Sequence, residues 1–164
     1  MKTLLLVVGL VLVLVSAMLI ELYTQLARYK NHWLKQNEIA LQQEGPLYVA
    51  FGDSAAQGVG ATRPQNGYVG LISADLQKRE PRLRSLNLSK SGAKVKDVLD
   101  TQLPAYEALG VDAQFITVEI GANDILTFNA QTFEQEMDEL MRRMPPQAVI
   151  SDIPYFGGTR FRSL

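Results

Sequence analysis

The sequence predicts an α/β domain built on a parallel sheet and carried behind a membrane-spanning helix. Three observations lead there. From Leu47 onward, short runs of strand-forming residues alternate with helical stripes, the pattern of βαβ units. Each of the first three runs ends in a loop of small residues beside a polar one. At the amino terminus, "TLLLVVGLVLVLVSAMLI" (Thr3 to Ile20) carries no charge, and an α-helix needs about 20 apolar residues to cross the hydrocarbon layer.

The first element, residues 1–20, is apolar on every face, which argues against a purely soluble core helix. Val15-Ser16-Ala17 would suit cleavage of a signal peptide. However, Met18-Leu19-Ile20 carry the apolar run past that site, so an uncleaved single-pass anchor is expected. Lys2 precedes the span and Arg28, Lys30 and Lys35 come after it. Charge bias alone leans towards a cytoplasmic domain. Short leading anchors nonetheless commonly export the domain behind them, and an extracytoplasmic domain is expected.

Residues 21–45 are polar and free of glycine and proline until Gly45. They read as a helical stalk continuing the span. Leu22, Leu26, Tyr29 and Trp33 recur at helical spacing, but the segment is expected to be a spacer. Gly45-Pro46 punctuates its end, and residues 46–164 form the expected globular domain.

Leu47 to Phe51 is the first strand. Tyr68, Val69, Ile72 and Leu76 form a helical stripe over Tyr68 to Lys78, ended by Pro81. Leu83 to Leu88 is a second strand. Val95, Val98, Leu99 and Leu103 form another stripe, interrupted at Pro104. Phe115 to Ile120 is a third strand, rich in β-branched residues. Phe133, Met137, Leu140, Met141 and Met144 mark a third helix, with Thr132 and Gln135 as a capping box at its start. Ala148 to Ile150 opens a fourth strand after Pro145-Pro146. Connection handedness then places helices on both faces of the sheet.

Composition excludes several function classes. The 164 residues suit one domain plus an appendage. A formal net charge of −1, with scattered basic residues, gives no electrostatic case for nucleic acid. Without cysteine there are no disulfides, thiolate nucleophiles or cysteine-built zinc sites. One histidine, His32, limits any metal site to carboxylates, and no metal or cofactor is expected. Gly58-Val59-Gly60 lacks a third glycine, since Arg63 stands there, and no acidic residue comes after the second strand as a dinucleotide site requires.

In an open parallel sheet, ligands bind outside the carboxyl ends of the strands where strand order reverses. Gly52-Asp53-Ser54, Ser89-Lys90-Ser91-Gly92 and Gly121-Ala122-Asn123-Asp124 come directly after the first three strands and are expected to converge on that edge. These residue types suit acyl transfer. A serine hydroxyl attacks an ester carbonyl once a base removes its proton, and the oxyanion needs preorganised donors. The backbone N–H groups of Ser54 and Gly92 and the amide of Asn123 are candidates. A helix opening at Ser54 would favour negative charge there. Ser54 alone would read as a helix cap, and Gly92 or Asn123 alone as turn residues. Asp53 and Asp124 read as loop-ordering acceptors, and His32 as a solvated residue of the stalk.

"FGDSAAQGVG", "NLSKSGAKV" and "VEIGANDI" resemble, in order and spacing, the first three blocks of the SGNH hydrolases, the GDSL esterases and lipases. The resemblance implies a flavodoxin-like three-layer α/β/α fold, with Ser54 as nucleophile and Gly92 and Asn123 in the oxyanion hole. It implies a small-molecule ester, a lipid or an acylated glycan as substrate. The Gly-x-Ser-x-Gly elbow of the other large esterase fold is absent. The family's Asp-x-x-His block, which supplies the base and its orienting acid, has no counterpart, since no histidine occurs after Ser54. The chain is therefore expected to be the amino-terminal part of a longer enzyme. A membrane-anchored binding module without the base, or an acyltransferase on the same pocket, are the rival expectations.

Overall fold

The computed structural model describes residues 2–153. Strands β1 (Leu47–Gly52), β2 (Arg84–Asn87), β3 (Phe115–Glu119) and β4 (Ala148–Ile150) form one parallel sheet in the order β2-β1-β3-β4. Val49 pairs with Leu86 on one side and Ile116 on the other, and Val118 pairs with Ile150. That order is the first four positions of a flavodoxin-like sheet. Residues 154–164, the end of the expected domain, lie outside the described residues.

β1 is buried along its whole length, as a strand covered on both faces should be. Leu47, Val49 and Phe51 join a cluster with Val95, Val98, Leu103, Tyr106 and Leu140. These come from α3 (Val95–Asp97), α4 (Leu103–Glu107), the π-helical turn between them, and α5 (Ala130–Arg143). Tyr48 and Ala50 point the other way, to Trp33, Val69 and Leu83. That layer is built by α1 (Lys2–Gln42) and α2 (Tyr68–Arg79). The three layers are therefore α/β/α. Each large apolar side chain removed from water contributes about 1.5–3 kcal/mol, so the two clusters hold the sheet from both sides.

Three expectations are corrected. Residues 21–45 are a spacer only in their first part, because the helix packs onto the sheet from Tyr29 on. Tyr29, Trp33 and Ala40 are buried. Trp33 donates its indole N–H to Gln57 O at 2.9 Å, and Asn37 exchanges hydrogen bonds of 2.8 and 2.9 Å with the backbone of Asn87. Of the apolar stripe, Tyr29 and Trp33 are thus core residues, while Leu22 stays exposed.

Pro104 does not interrupt its helix. Val98–Gln102 is a π-helical turn, Leu103 N bonds to Val98 O, and Pro104 falls in the first turn of α4. A missing N–H costs little there. Arg143 Nη1 reaches Leu99 O at 3.4 Å, a carbonyl of the widened turn.

The cap of α5 is Asn129, whose Oδ1 accepts from Thr132 N at 3.0 Å. Thr132 is therefore inside the first turn rather than its cap, and the Thr132–Gln135 box does not form. Asn ranks at least as high as Thr as a cap.

Candidate active site

Strand order reverses between β1 and β3, and the loops leaving their carboxyl ends share one crevice. β1 ends at Gly52, whose φ is 149°. A Cβ at Gly52 would lie 2.3 Å from Glu119 O, so the close approach of β3 requires glycine. Gln102, buried in the π-helical turn, clamps this residue. Its Oε1 accepts Gly52 N–H at 2.9 Å and its Nε2 donates to Gly52 O at 2.8 Å. Two residues later comes Ser54.

Ser54 is partly exposed, and among the described residues its hydroxyl makes no hydrogen bond. Residues 54–60 form successive turns rather than the expected helix. Gln57 N bonds to Asp53 O and Val59 N to Ser54 O, while Gly58 and Gly60 adopt φ of 84° and 97°, which keeps a helix from forming. Gly92 is exposed with φ 79°, and nothing lies within 4 Å of the position a Cβ would take. Its loop therefore borders open space.

Three loops distant in sequence are knitted together here. Asn123 Nδ2 donates to Asp53 Oδ2 at 2.8 Å and to Ala93 O at 2.9 Å. Lys90 N donates to Gly52 O at 3.1 Å. Gln57 donates to Ser89 O at 2.9 Å and accepts from Ser91 Oγ at 2.6 Å. Asp124 Oδ2 accepts Val95 N–H at 3.2 Å. The structure thus brings the segments carrying Ser54, Gly92 and Asn123 to one edge. Ser54 is held through its neighbours, since Asp53 Oδ1 accepts Ala55 N–H at 2.9 Å. Asp53 and Asp124 are both loop-ordering acceptors, as expected. Both hydrogens of the Asn123 amide are engaged in this state.

The sequence reading missed two residues. One is Gln102, whose only signal was its place on the apolar face of the Val98-Leu99-Leu103 stripe. The other is Glu119, which pairs with Gly52 across β1 and β3. Its carboxyl lies beside that of Asp53, and Oε2 is buried without a partner among the described residues. Burial, then the neighbouring Asp53 carboxylate, push the Glu119 carboxyl up to about 7. Burial also raises Asp53, against the lowering effect of Ala55 N–H and Glu119. A proton on Glu119 gives the pair the donor it otherwise lacks. Tyr68, whose hydroxyl is likewise buried without a partner among the described residues, is pushed upward by burial and then by Tyr48 and Glu119.

His32 is not solvated in the way expected. It stacks edge-on against Trp33 at 5.0 Å between ring centroids, and burial lowers its pKa. It lines a cavity of about 290 Å³ between α1 and α2, with Gln65 and Ser73 and without Ser54. Among the described residues no cluster of side chains fit to hold a metal ion occurs.

Residues 50–162 match the family model described as GDSL-like Lipase/Acylhydrolase family. The chain belongs to that family. No curated protein sequence matches it. Among solved structures, this GDSL-like chain is similar to TesA, at 23% identity and TM-score 0.52 over 71% of this chain and 67% of that one. A mutant of the esterase AlinE4, an SGNH-hydrolase family esterase, matches at 22% identity and TM-score 0.51, over 73% and 66%. LAE5, an alpha/beta hydrolase enzyme from the metagenome of Lake Arreo, Spain, matches at 25% identity and TM-score 0.47, over 66% and 60%. The GDSL-like chain spans between 58% and 67% of the first three structures it matches. Among the described residues, one helix is long and apolar enough to cross a membrane, near the amino terminus and with its apolar part exposed.

Proposed function

We propose that the protein is a membrane-anchored serine esterase of the SGNH type, cleaving a carboxylic ester through an acyl-enzyme on Ser54. The observation that carries this reading is the Asn123–Asp53 hydrogen bond of 2.8 Å, made across 70 residues. It joins the loop beside Ser54 to the loop bearing the third oxyanion donor. In the reaction, Ser54 Oγ attacks the ester carbonyl and gives its proton to a base. The tetrahedral intermediate expels the alcohol, which takes a proton from that base, and water then releases the acid.

The Ser54 and Gly92 N–H groups and the Asn123 amide face the developing oxyanion. The hydrogen that Asn123 gives to Ala93 O is the one available to it, since a charged acceptor outcompetes a neutral carbonyl. The sequence carries no histidine after Ser54 that could act as this base. His32 does not serve, because its cavity excludes Ser54.

The absence of any histidine after Ser54 favours one other reading, an anchored binding module on the same pocket. A fluorophosphonate probe separates the two. The esterase reading expects covalent labelling of the protein at Ser54, abolished in Ser54→Ala. Labelling that persists in Ser54→Ala would refute the nucleophile, and an unlabelled wild type would leave the binding module.

A further inference from the structure

The course of α1 says which way the candidate site points. Going up the helix, Tyr29 bonds to Ala61 O in the loop after β1. Trp33 then bonds to Gln57 O at 2.9 Å, and Asn37 to Asn87 at the carboxyl end of β2. Finally Ala40 O and Gly45 O accept from Arg84 at its amino end, at 3.3 and 3.1 Å. The helix therefore runs antiparallel to the strands of the sheet. The carboxyl ends of the strands, with the Ser54, Gly92 and Asn123 loops, lie towards the apolar segment, and the amino ends lie away from it.

α1 is continuous from Lys2 to Gln42 with no proline, so it transmits this orientation without a hinge. Tyr29 is nine residues beyond Ile20, which at about 1.5 Å per residue places it roughly 13 Å from the apolar run. Tyr23, 74% exposed, stands between them, where interfacial aromatics collect.

The same edge carries apolar side chains that the fold leaves outside. Leu126 and Phe128, just past the Asn123 loop, are 77% and 60% exposed. Exposed cations stand at the same end of the fold: Arg28 and Lys30 on α1, Arg63 in the loop after β1, and Lys90 in the loop after β2. Asp152, after β4, is an exposed acid there. Apolar wedges beside cations are what an anionic leaflet recognises, although the chain as a whole has a formal net charge of −1.

We propose that the carboxyl-terminal edge of the sheet docks on the leaflet that adjoins the amino-terminal helix. Leu126 and Phe128 dip into it, and Arg28, Lys30, Arg63 and Lys90 face anionic headgroups. Substrate then reaches Ser54 from the lipid side. This rests on the anchor in the proposed function, not on the catalytic assignment.

The chain has no cysteine, so single-cysteine variants report position cleanly. Leu126→Cys, Phe128→Cys, Asp112→Cys at the opposite end of the sheet, and Val15→Cys in the apolar run are each labelled with an environment-sensitive fluorophore. The labelled chains are reconstituted into phosphatidylcholine–phosphatidylglycerol vesicles containing nitroxide lipids. The proposal expects loss of fluorescence at 15, 126 and 128 and none at 112, with the losses at 126 and 128 shrinking in phosphatidylcholine alone. Loss at 112 matching that at 126 and 128, or loss at 15 alone, overturns the docking. No loss at 15 overturns the anchor on which it rests. Unchanged losses without phosphatidylglycerol overturn the headgroup contact. Fluorophosphonate labelling of Ser54 reads the esterase assignment separately.

Discussion

Trp33→Ala tests whether the helix after the apolar run is part of the domain. The indole is buried against Tyr48, Ala50, Ala56, Val69 and Leu83. Its N–H satisfies Gln57 O, in the turn after Ser54. Truncating a buried tryptophan costs about 3–5 kcal/mol through lost transfer energy and the cavity left behind. Leaving a buried carbonyl unpaired accounts for about 1–3 kcal/mol of such losses. The two overlap, so a loss of about 4 kcal/mol is expected, a large share of the roughly 5–15 kcal/mol that holds an ordinary domain together. Trp33→Phe removes the donor and part of the ring, and should cost less than Trp33→Ala but still about 1–3 kcal/mol. Urea unfolding of the full chain in nanodiscs, monitored by circular dichroism, measures both. A Trp33→Ala chain within about 0.5 kcal/mol of wild type, as surface substitutions usually are, would show that α1 is a spacer after all.

The remaining predictions concern the carboxyl pair and the clamp beneath Ser54. Because Glu119 is raised from 4.5 to about 7, the folded state binds more protons than the unfolded state between those values. Its contribution is therefore fully present below about pH 4.5 and is lost as pH rises to about 7. Glu119→Gln, which keeps a donor towards Asp53 at every pH, should raise Tm at pH 8 and leave it nearly unchanged at pH 4.5. A variant that melts at the wild-type temperature at pH 8 would remove the shared proton from the account. Gln102→Ala leaves Gly52 N–H without its partner and should cost about 1–3 kcal/mol. Slower fluorophosphonate labelling of Ser54 should accompany that loss, and an unchanged labelling rate would show that the clamp does not position the nucleophile.

Local pattern in the sequence was enough for the four strands, two of the three helical stripes, and the meeting of three loops at one edge. The reason is that the alternation of apolar residues reports which faces are covered, and a parallel sheet leaves few places for the loops to go. Leu47 to Phe51 is an unbroken apolar run because both faces of β1 are buried. Contacts between distant segments were decided only in three dimensions. Nothing local to Trp33 says that its partner is Gln57, so a segment that is partly core read as a spacer. Nothing local to Glu119 says that its register with Gly52 sets its carboxyl against Asp53. Pro104 read as a break because a proline looks the same in the sequence whether it ends a helix or, as here, falls in the first turn after a π-helical stretch. Even Asn123, legible as a donor, has its two hydrogens assigned by residues 30 and 70 positions away. Periodicity is written along the chain; hydrogen-bond partners and shared protons are set by which segments fold onto one another.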